Sequence, residues 1–424
     1  MFQMSRSCAV LAVLTVVGAG CYVPPSLCDA DVECGEGAAC INGSCRTQTA
    51  PVDPTEDPVL VGVDPRWTVE VPFEGGATEP TLALIGAGQP SIAFFAPAHP
   101  PGVSDFQVMP TVVKRAGESG SASWRTDSMQ PHSVDILYSQ FGHLDGAGGE
   151  QFLLGTWNSA QFTEFTAGVF DRYELIARNH GGRRHLHAVM APDGAVHGLV
   201  LDKGAVSAFT WDGDRSRLDV DVSPLVQLCP EGANECTGSA GLEIAVDEDA
   251  SPVALYGNST GTTLATRSGA QWQLEPLPST VKPGALTLSP TGDPTVCFAE
   301  EGAVLGSSTI RCMRRRGGQW SSLDLRVNQR NTHAWIQETH EAATGELTVL
   351  YAEAVIDMNG QSSEQSLSLA RWDGTSWTTV PVFAHSGPDS LVWGHVADMF
   401  VAADGEVHLA VALDRLYYMR GSAF

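Results

Sequence analysis

The chain has 424 residues, 43% of them hydrophobic, enough to bury a sizeable core. Its formal net charge of −25 opposes binding to nucleic-acid phosphates or anionic lipid through general electrostatics and favours cationic partners or a divalent metal. The 44 Gly and 25 Pro imply a body with many turns, and no stretch beyond the N-terminus carries a sustained helical apolar stripe.

Residues 1–20 read as an address. Arg6 is a basic flank, and the apolar run 9–17 is too short to span a bilayer as a helix. Gly18, Ala19 and Gly20 then lead into Cys21. This resembles a bacterial lipobox, although Gly18 stands where that motif usually has leucine. The resemblance implies a diacylated Cys21 as mature N-terminus, held by acyl chains and not by a transmembrane helix. Tyr22 in place of Asp implies retention in the outer membrane. An ordinary signal cleaved nearby, with Cys21 paired elsewhere, is the alternative.

Ten cysteines less Cys8 and Cys21 leave an even number. Cys28, Cys34, Cys40 and Cys45 fall in a segment too short to bury a core, so disulfides are expected to hold it; zinc is the rival, without a CxxC pair or a nearby histidine. The segment resembles the small cysteine module that follows the signal in many bacterial surface lipoproteins. The module is expected over 21–46 and a Pro- and acid-rich linker over 47–64. Further on, Cys229 and Cys236 bracket a short loop, and Cys297 and Cys312 lie on the two arms of one expected hairpin, so both pairs read as local disulfides.

Residues 65–424 repeat a unit of short strands. An apolar run meets a Gly/Asp turn and a second apolar strand, and a polar hairpin then leads to a strand opening on tryptophan. The tryptophan series runs Trp67, Trp124, degenerate copies near Tyr173 and Leu218, then Trp272, Trp320 and Trp377. The turn series runs Gly88, near Gly146, Gly194, Ala250, Gly292, Gly345 and Gly405. Self-similarity of about 40–60 residues in short strands predicts an all-β β-propeller, here seven-bladed. The last unit ends before any tryptophan strand, whereas RWTVEVP (66–72) precedes any inner strand. Residues 66–72 are therefore expected to pair, antiparallel, with the C-terminal blade and close the ring, which removes two exposed edges. An open array, or six or eight units, is the alternative.

The stretch RWDGTSW (371–377) resembles the Asp-box (BNR) repeat of sialidase propellers, with Asp373 directly against Gly374 where that box has an intervening residue. The resemblance covers single turns of the chain. It implies a fold element and no catalytic role, and the sister copies before Trp272 and Trp320 lack the aspartate. The chain thus resembles a bacterial surface lipoprotein carrying a cysteine module and a propeller of Asp-box-like repeats. It has no nucleophile elbow, phosphate loop, HExxH or EF-hand, so no catalytic residue is assigned. Asp247, Glu248 and Asp249 read as a solvated turn, with a calcium loop as the rival.

Alignment of the inner strands by their turns puts Thr81, His187, Glu243, Ala285, Glu338 and Asp398 at one level. An insertion or deletion in the Gly345 copy would move Glu338 out of this series. His185 shares the strand face of His187. His185, His187, Glu243, Glu338 and Asp398 are therefore the candidates to line the central channel and hold a ligand. Imidazole and carboxylate suit zinc or another divalent ion, and a water-filled polar channel is the plainer reading. Trp157, Trp335 and Trp393 lie outside the tryptophan series and are candidate stacking rings. The expected function is a non-enzymatic, membrane-anchored binding or scaffolding protein, monomeric and without a cofactor motif. Its propeller would present a face to a protein or glycan, and it would bind no nucleic acid. A sialidase-like glycoside hydrolase or lyase with acids at the channel mouth is the alternative.

Overall fold

The computed structural model describes the strands set out below and the chain adjoining them. Residues 1–37, 48–59 and most longer loops, such as 99–106, 134–143, 212–220, 228–240, 302–307 and 386–395, lie outside the described residues. The chain divides into two units, residues 1–58 and 59–424. In the first, strands Ala38–Ile41 and Ser44–Thr47 form a hairpin whose register sets Cys40 opposite Cys45. Cys28 and Cys34 lie outside the described residues, as do Cys229 and Cys236.

The second unit is a seven-bladed β-propeller. Its blades are antiparallel sheets spanning 78–133, 144–176, 185–227, 241–276, 285–326, 332–385 and 397–421, each ordered from the innermost strand outward. Among the described residues there is no helix. The innermost strands of blades 3 to 7 lie side by side, and that of blade 7 packs against that of blade 1, so the ring closes. Closure is made by Trp67–Phe73, the outermost strand of blade 7, antiparallel to Leu416–Gly421 with Trp67 opposite Gly421 and Glu70 opposite Tyr418. The pairing expected for residues 66–72 is thus present.

Burial grades outward as the sequence pattern requires. Innermost strands alternate, as at Leu242, Glu243 and Ile244, where the flanking apolar residues are buried and the carboxylate is not. Second strands are apolar almost without a break, as in Ala195–Leu201, because a neighbouring blade covers each face. Outer strands such as Gln271–Pro276 are largely exposed. The cores are therefore seams between blades. Leu409 and Met419 of blade 7, for example, cluster with Leu350 and Leu367 of blade 6.

Two seams carry the same polar bond. Trp124 Nε1 donates to Glu70 at 2.9 Å and Trp320 Nε1 donates to Glu275 at 2.7 Å. Arg115 and Arg315 pair with the same two carboxylates at 3.0 and 2.9 Å. Each glutamate lies three residues beyond the tryptophan of the preceding blade, in RWTVE and QWQLE. Leu323 and Val380 occupy that position after Trp320 and Trp377, and the tryptophans that would meet them, Trp377 and Trp67, have a buried Nε1 without a hydrogen-bond partner.

The turn series is explained by backbone conformation. Gly88, Gly292, Gly345 and Gly405 all adopt positive φ, and Ala250, at φ 60°, is the described non-glycine residue that does so. Left-handed backbone costs an L-residue about 1–2 kcal/mol, part of which glycine returns as unfolded-state entropy. Ala250→Gly is expected to stabilise the propeller by about 0.5–1 kcal/mol, read as a higher urea midpoint at unchanged slope. An unchanged or lower midpoint would contradict this account of the turn. Asp247 caps the same turn, its Oδ1 accepting the amides of Asp249 and Ser251 at 3.0 and 2.8 Å. Its carboxylate serves the hairpin.

A disulfide joins Cys297 and Cys312, which stand opposite each other on the second and third strands of blade 5. Asp373 is likewise a turn cap: its Oδ1 accepts the amides of Thr375 and Ser376 at 2.8 and 2.9 Å. The Ser376 and then the Thr375 amide bonds hold its carboxyl down at about 2. The Asp-box-like stretch is therefore a fold element.

Candidate functional site at the central channel

Register settles which inner-strand residues share a level. Thr81 pairs with Ala93, His187 with Leu199, Glu243 with Leu255, Ala285 with Cys297, Glu338 with Leu350 and Asp398 with Ala410. Every pair spans the same length of hairpin. Glu338 keeps its place because the irregularity in blade 6 lies before it, between Ile336 and Glu338. His185 occupies the same strand as His187, opposite Leu201; its side chain lies outside the described residues.

Blades 3 and 4 meet here through an ion pair. His187 Nδ1 is 3.1 Å from Glu243 Oε2 and 2.9 Å from the Leu242 carbonyl. Burial, the largest influence, pulls the imidazole pKa down, but the charge and hydrogen bond of Glu243 outweigh it and hold His187 above the usual histidine range. The two side chains keep 18% and 20% of their surface, so neither is closed off from solvent.

Blades 7 and 1 meet through a carboxyl group. Asp398 Oδ1 accepts the Met399 amide at 2.8 Å and its Oδ2 accepts the Leu82 amide of blade 1 at 2.6 Å. Glu338 accepts the Thr339 amide at 2.8 Å. Its pKa is raised well above the usual carboxyl range, first by burial, then by the charge of Asp398, with a smaller push from Glu243. Blade 5 contributes Ala285, a small residue at the same level, between Glu243 and Glu338 in blade order.

Four of the five channel candidates therefore stand at one level of the innermost strands, His187 in contact with Glu243 and Glu338 under the charge of Asp398. Among the described residues no group of three or more His, Cys, Asp or Glu side chains is placed to hold a metal ion. What the ring offers is a carboxyl whose pKa is raised, level with Asp398, and an imidazole whose pKa is raised, in contact with Glu243. Of the unexplained tryptophans, Trp335 is partly buried and stacks on His333 with ring centroids 5.8 Å apart. Trp157 and Trp393 lie outside the described residues. Sequence reasoning missed Gln337. Its Oε1 accepts the amides of Val396 and Ala397 at 2.9 and 3.3 Å, bridging blades 6 and 7 beside the ring. The signal for it was the one extra residue in that copy of the inner strand.

No family model and no curated protein matches the chain. Among solved structures it is similar to the selenomethionine-substituted virginiamycin B lyase from Staphylococcus aureus, with 10% identity over 84% of this chain and 98% of that one at a TM-score of 0.49. It is also similar to a streptogramin B lyase, with 12% identity over 83% and 97% and a TM-score of 0.46. A third similar structure is YCF48 bound to D1 peptide, with 13% identity over 84% and 95% and a TM-score of 0.46.

Proposed function

We propose that this protein is a non-enzymatic binding module anchored in the cell envelope, whose propeller channel receives a cationic group from a protein or glycan. The observation that carries the reading is the ring of Glu243, Glu338 and Asp398, three carboxyl groups against one imidazole on innermost strands. A net charge of −25 adds a long-range field that draws cations toward it. The anchoring half of the reading rests on the residues before Cys21 and on the cysteine spacing of 28–45.

A glycoside hydrolase or lyase is the second reading, favoured by one observation. Burial and the charge of Asp398 raise the pKa of Glu338, the direction such chemistry uses for a general acid.

One experiment separates them. The protein is titrated calorimetrically with a glucosamine oligomer and with oligolysine, using the N-acetylated glucosamine oligomer as neutral control, and each mixture is assayed for newly formed chain ends. Binding of a cationic probe, weakened about tenfold or more by Glu243→Gln and without bond cleavage, is the expected result. Equal affinity for charged and neutral oligomers would overturn the cationic reading, and new chain ends would transfer the ring to the enzymatic one.

A further inference from the structure

His187 stands on the innermost strand of blade 3, His185–Met190, and its ring reaches the innermost strand of blade 4, Gly241–Val246. Its Nδ1 lies 2.9 Å from the Leu242 carbonyl and 3.1 Å from Glu243 Oε2. A carbonyl oxygen only accepts, so Nδ1 carries a hydrogen whether the imidazole is neutral or charged. The proton that His187 gains or loses is therefore the one on Nε2. Among the described residues Nε2 makes no hydrogen bond, and it is not buried as the unpartnered Nε1 atoms of Trp67 and Trp377 are. The same holds for Glu243 Oε1. The pair thus binds itself through one atom of each partner and leaves the other atom of each open.

While His187 is neutral, both open atoms are acceptors: a lone pair on Nε2 and a carboxylate oxygen on Glu243. They suit a ligand that brings N–H donors together with positive charge, and a primary ammonium brings both. A quaternary ammonium has the charge but no hydrogen to give. Once Nε2 takes a proton, the same atom becomes a donor and sets a positive charge beside any cationic ligand.

The elements packed around His187 leave Glu243 as the charge it meets. In its own blade Leu199 stands opposite, and His197, nearer the turn, is buried and bonded to Thr210. Blade 4 presents Glu243 between the buried Leu242 and Ile244. Blade 2 packs its strand Gly149–Gly155 on the other side. The side chains of Glu150 on that strand, and of His185 and Asp202 in blade 3, lie outside the described residues. Among the described residues the charge that acts on His187 is that of Glu243.

We propose that Nε2 of His187 is the atom by which the channel recognises its cation, that this cation is a primary ammonium, and that ligand and proton exclude each other there. The inference rests on the cationic reading of the channel given above. Neutral His187 accepts a hydrogen bond from the ammonium, while Leu242 and Glu243 hold the ring by its other nitrogen. Uptake of the ligand by the charged form sends the Nε2 proton to solvent, and protonation of Nε2 expels the ligand. The raised pKa of His187 agrees, because the carboxylate that draws in an ammonium also holds a proton on the ring. Binding is weak below the folded pKa of His187, strengthens as pH rises through it and is full above it.

The full-length protein is titrated calorimetrically between about pH 5 and about pH 9 in buffers of different ionisation enthalpy. The probes are oligolysine and the same oligomer trimethylated on every side-chain nitrogen. Oligolysine affinity should rise by up to about tenfold per pH unit and then level off, with up to about one proton released per bound side chain along the rise. On the plateau the trimethylated oligomer should bind at least about tenfold more weakly. His187→Gln, whose amide oxygen accepts but does not titrate, should keep the preference for oligolysine and lose both the rise and the proton release. Equal affinity for the two oligomers, or a rise that persists in His187→Gln, would overturn the role of Nε2 and leave the cationic reading standing. Binding of neither oligomer at any pH would overturn both. If His187→Gln does not fold, nitrogen NMR of the wild type decides. A neutral His187 with its hydrogen on Nδ1 supports the proposal, and one with its hydrogen on Nε2 overturns it.

Discussion

Replacing Glu341 by alanine is expected to destabilise the propeller by about 3–5 kcal/mol, the range for removing one partner of a buried ion pair. The side chain is fully buried; it accepts from Thr295 Oγ1 of blade 5 at 2.7 Å and from the guanidinium of Arg316, and pairs with the charge of Arg314 at 3.6 Å. Arg314 also donates to the Gly345 carbonyl at 2.9 Å, so the cluster fastens both strand and turn of blade 6 to blade 5. Burial already lowers the pKa of both arginines. Without the carboxylate, the mostly buried Arg314 would be left beside Arg316 with no counter-charge, and that leftover cost exceeds the modest net worth of the pair. Thr295→Val removes one donor and leaves the charges paired, so its cost should be about 1 kcal/mol. Urea denaturation of the two variants checks the ordering. If both lose the same amount, the charges are not what makes Glu341 important.

The residues just discussed also mark where sequence reading stops. The seven blades were legible because tryptophan strands and turns recur, and because positive φ restricts the turn position to glycine at Gly88, Gly292, Gly345 and Gly405. The ring of His187, Glu243, Glu338 and Asp398 followed from counting back from those turns, since strands keep a fixed period. Glu341 had no such signal. It lies three residues beyond Glu338 on one strand, and only the arginines of another blade distinguish a buried anchor from a solvated acid. Arg314, Arg315 and Arg316 follow one another in the sequence, and each finds an acid across a seam. Gln337 depends on a bulge whose position shows only in the register. Seam partners are long-range, and one chain's local pattern does not encode them. The Trp-x-x-Glu spacing at Trp67 and Trp272 is the exception, a seam signal that recurs in the sequence itself.

Trp67→Ala is expected to cost about 3–5 kcal/mol, as for other large-to-small changes at a buried aromatic site. Trp67 is 6% exposed and packs into the cluster that joins blades 6 and 7, beside Leu367, Leu369 and Leu409. Its strand does more than fill that seam. Asp64 N donates to the Val382 carbonyl of blade 6 at 3.2 Å, while Glu70 holds Trp124 and Arg115 of blade 1. One N-terminal strand therefore spans three blades and joins segments far apart in the chain, so losing its anchor should weaken ring closure itself. The buried Nε1 of Trp67 has no hydrogen-bond partner, so Trp67→Phe loses volume but no bond and should cost less than half as much as alanine. Truncation before residue 59 should leave the melting temperature nearly unchanged, because the ring lies in residues 59–424. Truncation through residue 73 should bare the Leu416–Gly421 edge and cause concentration-dependent association. Melting curves and light scattering on these four proteins make the test. If the longer truncation stays monomeric and melts like the shorter one, Trp67–Phe73 does not close the ring in solution.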